Sequence, residues 1–162
     1  MVQTIGILGG MSAASTLTYY RTLCDLTRQR LGGLHSPQLL IRSLDFAPIA
    51  AMQAVDDWSA AAAILNREAH ALQAGGADIL LLATNTMHKL AAQMMAGVTI
   101  PLLHIADATA ARIAHAGLRR ALPDGNCLYD GTGFLPRPFA PCGADPHSAR
   151  RHVAGQDSPY HL

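Results

Sequence analysis

Four times in the first 118 residues, a short run of branched and apolar residues gives way to a polar or glycine joint and then to a stretch with helical spacing. Few folds are open to such a chain, because parallel strands need long crossovers and a helix is the usual one. Thr4-Ile5-Gly6-Ile7-Leu8 closes on Gly9-Gly10 and reads as a buried parallel strand. Ser12 or Ser15 can cap a helix through Tyr19, Leu23 and Leu26 that ends at Gly32-Gly33. Residues 38–44 form a second expected strand closed by Asp45, followed by a short turn. An alanine-rich helix is predicted from Trp58 to Leu72, with Gly75-Gly76 as its stop and Asp56-Asp57 as its cap. A third strand, 78–83, is apolar throughout. A helix over 86–95, a fourth strand over 100–105 containing Pro101, and a last helix over 107–118 complete the pattern. The predicted fold class is α/β, a doubly wound parallel sheet of four strands.

The ligand of such a sheet lies beyond the carboxyl ends of its strands. Three polar clusters fall there: Gly9-Gly10-Met11-Ser12, residues 45–53, and Thr84-Asn85-Thr86. The glycines either cradle a small anion at a helix start or simply make a tight turn. Thr84-Asn85-Thr86 either cap the helix that follows or bind a carboxylate and an amino group. The Gly6-to-Gly10 run lacks GxGxxG spacing, and no acidic ribose partner follows, which disfavours a dinucleotide. His88 and His104 belong to no HxH or HExxH arrangement, so they read as a helix residue and a strand-end residue rather than metal ligands. Met94-Met95 and Trp58 read as packing.

Composition narrows the partners. Half the residues are apolar, 14% are charged, and the net charge is +1 with no basic run. Nucleic acid and anionic membrane surfaces are therefore disfavoured. No apolar stretch approaches the ~20 residues of a membrane span. The amino terminus lacks the marks of a signal peptide, and Cys24, Cys127 and Cys142 are scattered, as reduced thiols are. A cytoplasmic protein is expected.

Four motifs in order, "TIGILGGMSAASTLTYYR", "LGGLHSPQLLIRSLDFAPI", "ATNTMHKL" and "IPLLHIADATA", resemble the aspartate/glutamate racemase family. The resemblance is closest to its broad-specificity, acidic-amino-acid branch with the strand-end motif TNTMH, and it covers residues 1–118. It implies one lobe of a two-lobed fold and cofactor-independent exchange of an amino acid's α-proton between acid/bases on opposite faces of the carbon. It implies Thr84 as the catalytic residue of this lobe, where most members carry cysteine, and Met11, Gln53, Asn85 and Thr86 as substrate contacts. No metal and no cofactor are implied, and the substrate is aspartate or glutamate. A homodimer is left open. Ala13-Ala14 depart from the Trp-Glu that relatives often carry. A thiol with pKa near ~8.5 ionises readily, whereas a threonine hydroxyl needs a neighbouring base.

After Leu118 the texture changes. Six of nine prolines fall in the last 44 residues, and periodicity vanishes. Relatives continue into a second lobe with a catalytic cysteine in a C-T-E-like context, which neither Cys127 nor Cys142 matches. The segment 128–133 (LYDGTG) has codons that, read one nucleotide later, can spell Tyr-Thr-Met-Glu-Gln, as the family has there. Residues 119–162 are thus expected to be a frame-shifted, unstructured tail, and the chain an inactive or impaired racemase. A non-catalytic amino-acid or dicarboxylate-binding remnant is the alternative.

Overall fold

The computed structural model describes residues 3–116. The expected tail, with Cys127 and Cys142, lies outside them. Four strands form one parallel sheet in the order β2-β1-β3-β4: β1 Ile5–Gly9, β2 Leu39–Ser43, β3 Ile79–Leu82 and β4 Leu102–Leu103. Ile7 pairs with Ile41 on one side and Leu81 on the other, so odd-numbered positions of β1 to β3 share one face. Leu8, between Arg42 and Leu82, belongs to the opposite face. Helices cover both faces, which is why the strands run apolar without alternation.

Helix α1, Ala13–Leu31, begins on the Ser12 hydroxyl, which accepts from the Ser15 amide at 3.4 Å. It ends where the Gly32 N–H donates to the Arg28 carbonyl at 2.9 Å. Tyr19 and Leu23 of α1 pack on Ile7, Leu81 and Ala83. On the other face lies α3, Trp58–Ala74, capped by Asp57 at the Ala60 amide, 3.0 Å away. Its buried Ala61, Leu65, Ala69 and Leu72 recur at helical spacing against Leu8, Leu80 and Leu82. The backbones come close here. A Cβ on Gly6 would stand 2.9 Å from that of Ala77 and 3.4 Å from that of Leu72.

Four elements differ from the expected ones. The supposed turn before α3 contains a helix, α2, Phe46–Ala54, capped by Asp45 at the Ala47 amide, 3.1 Å away. Pro48 lies in its first turn, where the missing N–H costs no helical bond. The fourth strand is only two residues long. Pro101 contributes its carbonyl to the Leu80 N–H at 2.8 Å but has no N–H to extend the ladder. Downstream, His104 turns the chain into helix by accepting from the Ala106 amide at 3.1 Å, so α5 spans Ile105–His115 rather than starting at Asp107. Finally, the segment after β3 opens as a 3-10 turn, Thr86–Leu90, before the short α4, Ala91–Met94.

Candidate functional site

The carboxyl edge of the sheet is closed by two ladder bonds. The Leu44 N–H donates to the Gly9 carbonyl at 3.0 Å, and the Ala83 N–H to the Leu8 carbonyl at 2.8 Å. Past these bonds the chain leaves the sheet at Gly10, Asp45 and Thr84, side by side. Gly10 has φ +87, and a Cβ there would meet the Leu44 carbonyl oxygen at 2.2 Å. A Cβ on Gly9 would meet the Thr16 hydroxyl at 2.3 Å. The glycines thus answer to the protein's own backbone and to α1. The Gly10 amide is also engaged, donating to Thr16 Oγ1 at 2.9 Å, while that hydroxyl donates to the Ser12 carbonyl at 3.1 Å. Of the two readings open in the sequence, the tight turn accounts for these contacts, and the Gly10 amide is taken up by Thr16.

Thr84 is half-buried, Asn85 exposed and Thr86 half-buried, one after another at the mouth of β3. The helix cap that the sequence leaves open is not made by Asn85. Asn85, at the cap position, is itself in helical conformation and gives no side-chain cap bond. Gln53 is half-buried in the last turn of α2, where its carbonyl accepts from the Asp56 amide at 3.2 Å, with Asp56 in the left-handed region at φ +56. Met11 lies one residue beyond Gly10, but its side chain is buried in the main core. Structure therefore places Thr84, Asn85 and Thr86 in one segment, sets the Met11 loop beside it, and puts Gln53 on the helix that leaves the same edge.

His88 is the residue whose place the sequence did not disclose. It is 2% exposed, buried beneath the Thr84 segment. Its Nδ1 lies 2.7 Å from the Thr84 carbonyl oxygen, and its Nε2 accepts from the Ile105 amide at 3.3 Å. The His104 ring stands edge-on to it, with centroids 4.6 Å apart. Burial pushes the His88 pKa down to about 4; the Thr84 carbonyl pulls upward and His104 adds to the depression. His88 is neutral at pH 7, with both ring nitrogens facing backbone, so it does not act as the base for the Thr84 hydroxyl. Among the described residues no group of three or more His, Cys, Asp or Glu is placed to hold a metal ion.

Away from this edge, Glu68 of α3 is buried and accepts from Arg42 Nε at 2.8 Å and from Arg67 Nη2 at 2.9 Å. Burial pushes its carboxyl up, but the two guanidinium groups outweigh that and hold it below the ordinary value. Lys89 rests its ammonium over the Trp58 ring, 4.2 Å from the centroid. Both arrangements serve packing. Among the described residues no helix is long and apolar enough to cross a membrane.

A parallel α/β lobe of this kind carries hydroxyl and amide side chains at the carboxyl edge of its sheet, the edge where ligands of such folds bind. The particular family follows from comparison. A profile of the Asp/Glu/Hydantoin racemase family matches residues 8–122, and this chain belongs to that family. A crystal structure from Yersinia pestis, of a protein provisionally assigned as an Asp/Glu racemase, superposes with TM-score 0.71 at 43% identity. An aspartate racemase homologue from Pyrococcus horikoshii OT3 gives TM-score 0.68 at 32% identity. Each comparison covers 74% of this chain and 52% of the other. The chain thus spans about half the length of these relatives.

Proposed function

We propose that this chain supplies one lobe of a cofactor-independent racemase for aspartate or glutamate, with Thr84 as the acid/base on one face of the α-carbon. Asn85 and Thr86, Gln53, and the backbone at Met11 hold the substrate's polar groups. The observation that carries this reading is the position of Thr84-Asn85-Thr86 at the mouth of a central parallel strand, next to the Gly10-Met11 loop, in a chain of this family.

Racemisation needs a proton removed on one flank of the carbon and returned on the other, with the carboxylate held by donors that stabilise the enolate-like charge. Thr84 can serve one flank. The acid/base for the other flank belongs, on this reading, to the part of the relatives that the match does not reach. Since His88 is committed to backbone, the proton of the Thr84 hydroxyl passes to another group, such as the substrate's own carboxylate or a water. Residues 1–162 alone are expected to bind aspartate or glutamate and to racemise them slowly or not at all.

Calorimetric titration with both amino acids, together with mass spectrometry of α-deuterium uptake in D2O, tests the reading. Binding with slow uptake that Thr84→Ala abolishes and Thr84→Ser retains supports it. Binding with no uptake in any form points instead to a lobe that binds a dicarboxylic amino acid without chemistry. Binding of neither amino acid refutes both.

A further inference from the structure

We propose that His88 is a positioning residue that clamps the Thr84 segment to the start of α5, and so sets the direction of the Thr84 hydroxyl; this rests on Thr84 being the acid/base.

The hydrogen-bond roles follow from the donors. An amide can only donate, so His88 Nε2, 3.3 Å from the Ile105 N–H, is an acceptor. The ring proton of the neutral imidazole is then on Nδ1 and points at the Thr84 carbonyl oxygen, 2.7 Å away. A third contact holds the next residue of the segment: the His88 amide donates to the Asn85 carbonyl at 3.1 Å. One buried side chain thus ties Thr84, at the β3 exit, to Ile105, the first residue of α5 and 17 positions beyond His88 itself. His104 holds α5 in the same place, capping it at the Ala106 amide while its ring meets that of His88.

Fixing the Thr84 peptide matters because threonine is branched at Cβ. Its χ1 is restricted to a few wells, so fixing the peptide narrows the directions open to the hydroxyl. A hydrophobic residue of similar size would fill the space under the segment without any control over direction. Imidazole bonds two backbone groups at once, one on each side of the site.

Asparagine and glutamine separate positioning from mere filling. The Asn amide nitrogen falls near the place of Nδ1 and can donate to the Thr84 carbonyl, whereas the Gln amide falls near Nε2. Aspartate and glutamate affinity is measured for the full chain and for both variants, with thermal midpoints alongside. His88→Gln is expected to weaken binding ten-fold or more, and His88→Asn to recover most of that loss, although both lower the midpoint. Equal losses of affinity in the two variants, or none in either, overturn the proposal. The ring nitrogens of His88 are read separately by 15N NMR: a protonated Nδ1 with an unprotonated Nε2 is expected at pH 7, and the reverse tautomer sinks the clamp. Should the unaltered chain bind neither amino acid, the racemase reading fails while the tautomer and the amide shifts of residues 84–86 in the two variants still decide whether the clamp exists.

Discussion

The two faces of the sheet are built to different depths. On one, α3 lays Ala61, Leu65, Ala69 and Leu72 against Leu8, Leu80 and Leu82, and Met87, Leu90 and Met94 extend the same cluster beneath the site. On the other, among the described residues, α1 covers only the two central strands: Ile7, Leu81 and Ala83 are buried, while Ile41 and Leu103 to either side are 40% and 51% exposed. Leu17, Tyr20 and Leu26 of α1 are exposed as well. Small residues explain part of the contrast. Alanines on α3 and Gly6 on β1 let that helix approach until side chains interlock, and close packing multiplies dispersion contacts. The lesson is that one apolar composition yields both a closed core and a thin cover, according to whether the helix can come near.

The largest effect expected from this contrast is at Leu65. Truncation to Ala removes a fully buried side chain from the deep face and leaves a cavity walled by α3 and the sheet, at a cost of about 3 kcal/mol. Leu23→Ala on the half-covered face should cost about 1 kcal/mol, since water already reaches its side chain. Urea denaturation of the two variants gives the ratio directly, and equal losses would mean that the two faces carry equal shares of the stability.

Acid tests the buried polar groups where the deep face meets the site. The folded state holds His88 at about 4, against 6.5 for an ordinary histidine. Between those values the unfolded chain takes up a proton that the folded one refuses. Stability is therefore fully present above pH 6.5 and declines as the pH falls toward 4, by up to about 3 kcal/mol. Denaturation midpoints across that interval should slope in the unaltered protein and flatten in His88→Asn.

A smaller loss is expected at the border of the deep face, where Glu68 on α3 takes its bonds from Arg42 on β2 and from Arg67. Glu68→Gln leaves two arginines that are 51% and 70% exposed in their side chains, so water takes over most of their solvation. About 1 kcal/mol is the expected cost near neutral pH. The folded carboxyl ionises below its ordinary value, so its contribution is present above about pH 4.5 and disappears as the pH drops below that. A cost as large as that of Leu65→Ala would show the carboxylate to be part of the core itself.

The same contrast governs how much could be read from the residues alone. Helix α3 was legible because Asp57, the repeat of Ala61, Leu65, Ala69 and Leu72, and Gly75 state its start, its face and its stop. Helix α2 was not, because Phe46–Ala54 is apolar almost all round and carries Pro48, leaving no polar face to mark a period. The expected fourth strand, 100–105, is longer than the observed one because its start is limited by Pro101, which donates nothing, and its end by His104 capping the next helix. At the site, Thr84-Asn85-Thr86 declared themselves as polar residues at the mouth of an apolar strand. His88 did not, since its meaning lies in a contact with Ile105 that only the folded chain creates. Gly9-Gly10 leave an anion loop or a tight turn open in the sequence, and the contacts found around them, with Leu44 and Thr16, are those of a tight turn.

The smallest effect should come from the margin of the thin face. Ile41 lies on β2, an edge strand, beside the buried Ile7, and already has much of its side chain in water. Ile41→Thr keeps the branching at Cβ that suits a strand and exchanges a partly wetted ethyl group for a hydroxyl that can remain hydrated. Neither a cavity nor an unsatisfied polar atom results, so the change should fall within about 0.5 kcal/mol. A cost several times larger, measured by the same denaturation series, would mean that α1 and its surroundings close over Ile41 in solution, and the difference between the two faces would shrink accordingly. A negligible cost would leave Ile7, Leu81 and Ala83 carrying nearly all of the apolar contribution on that side, from the two central strands of the sheet.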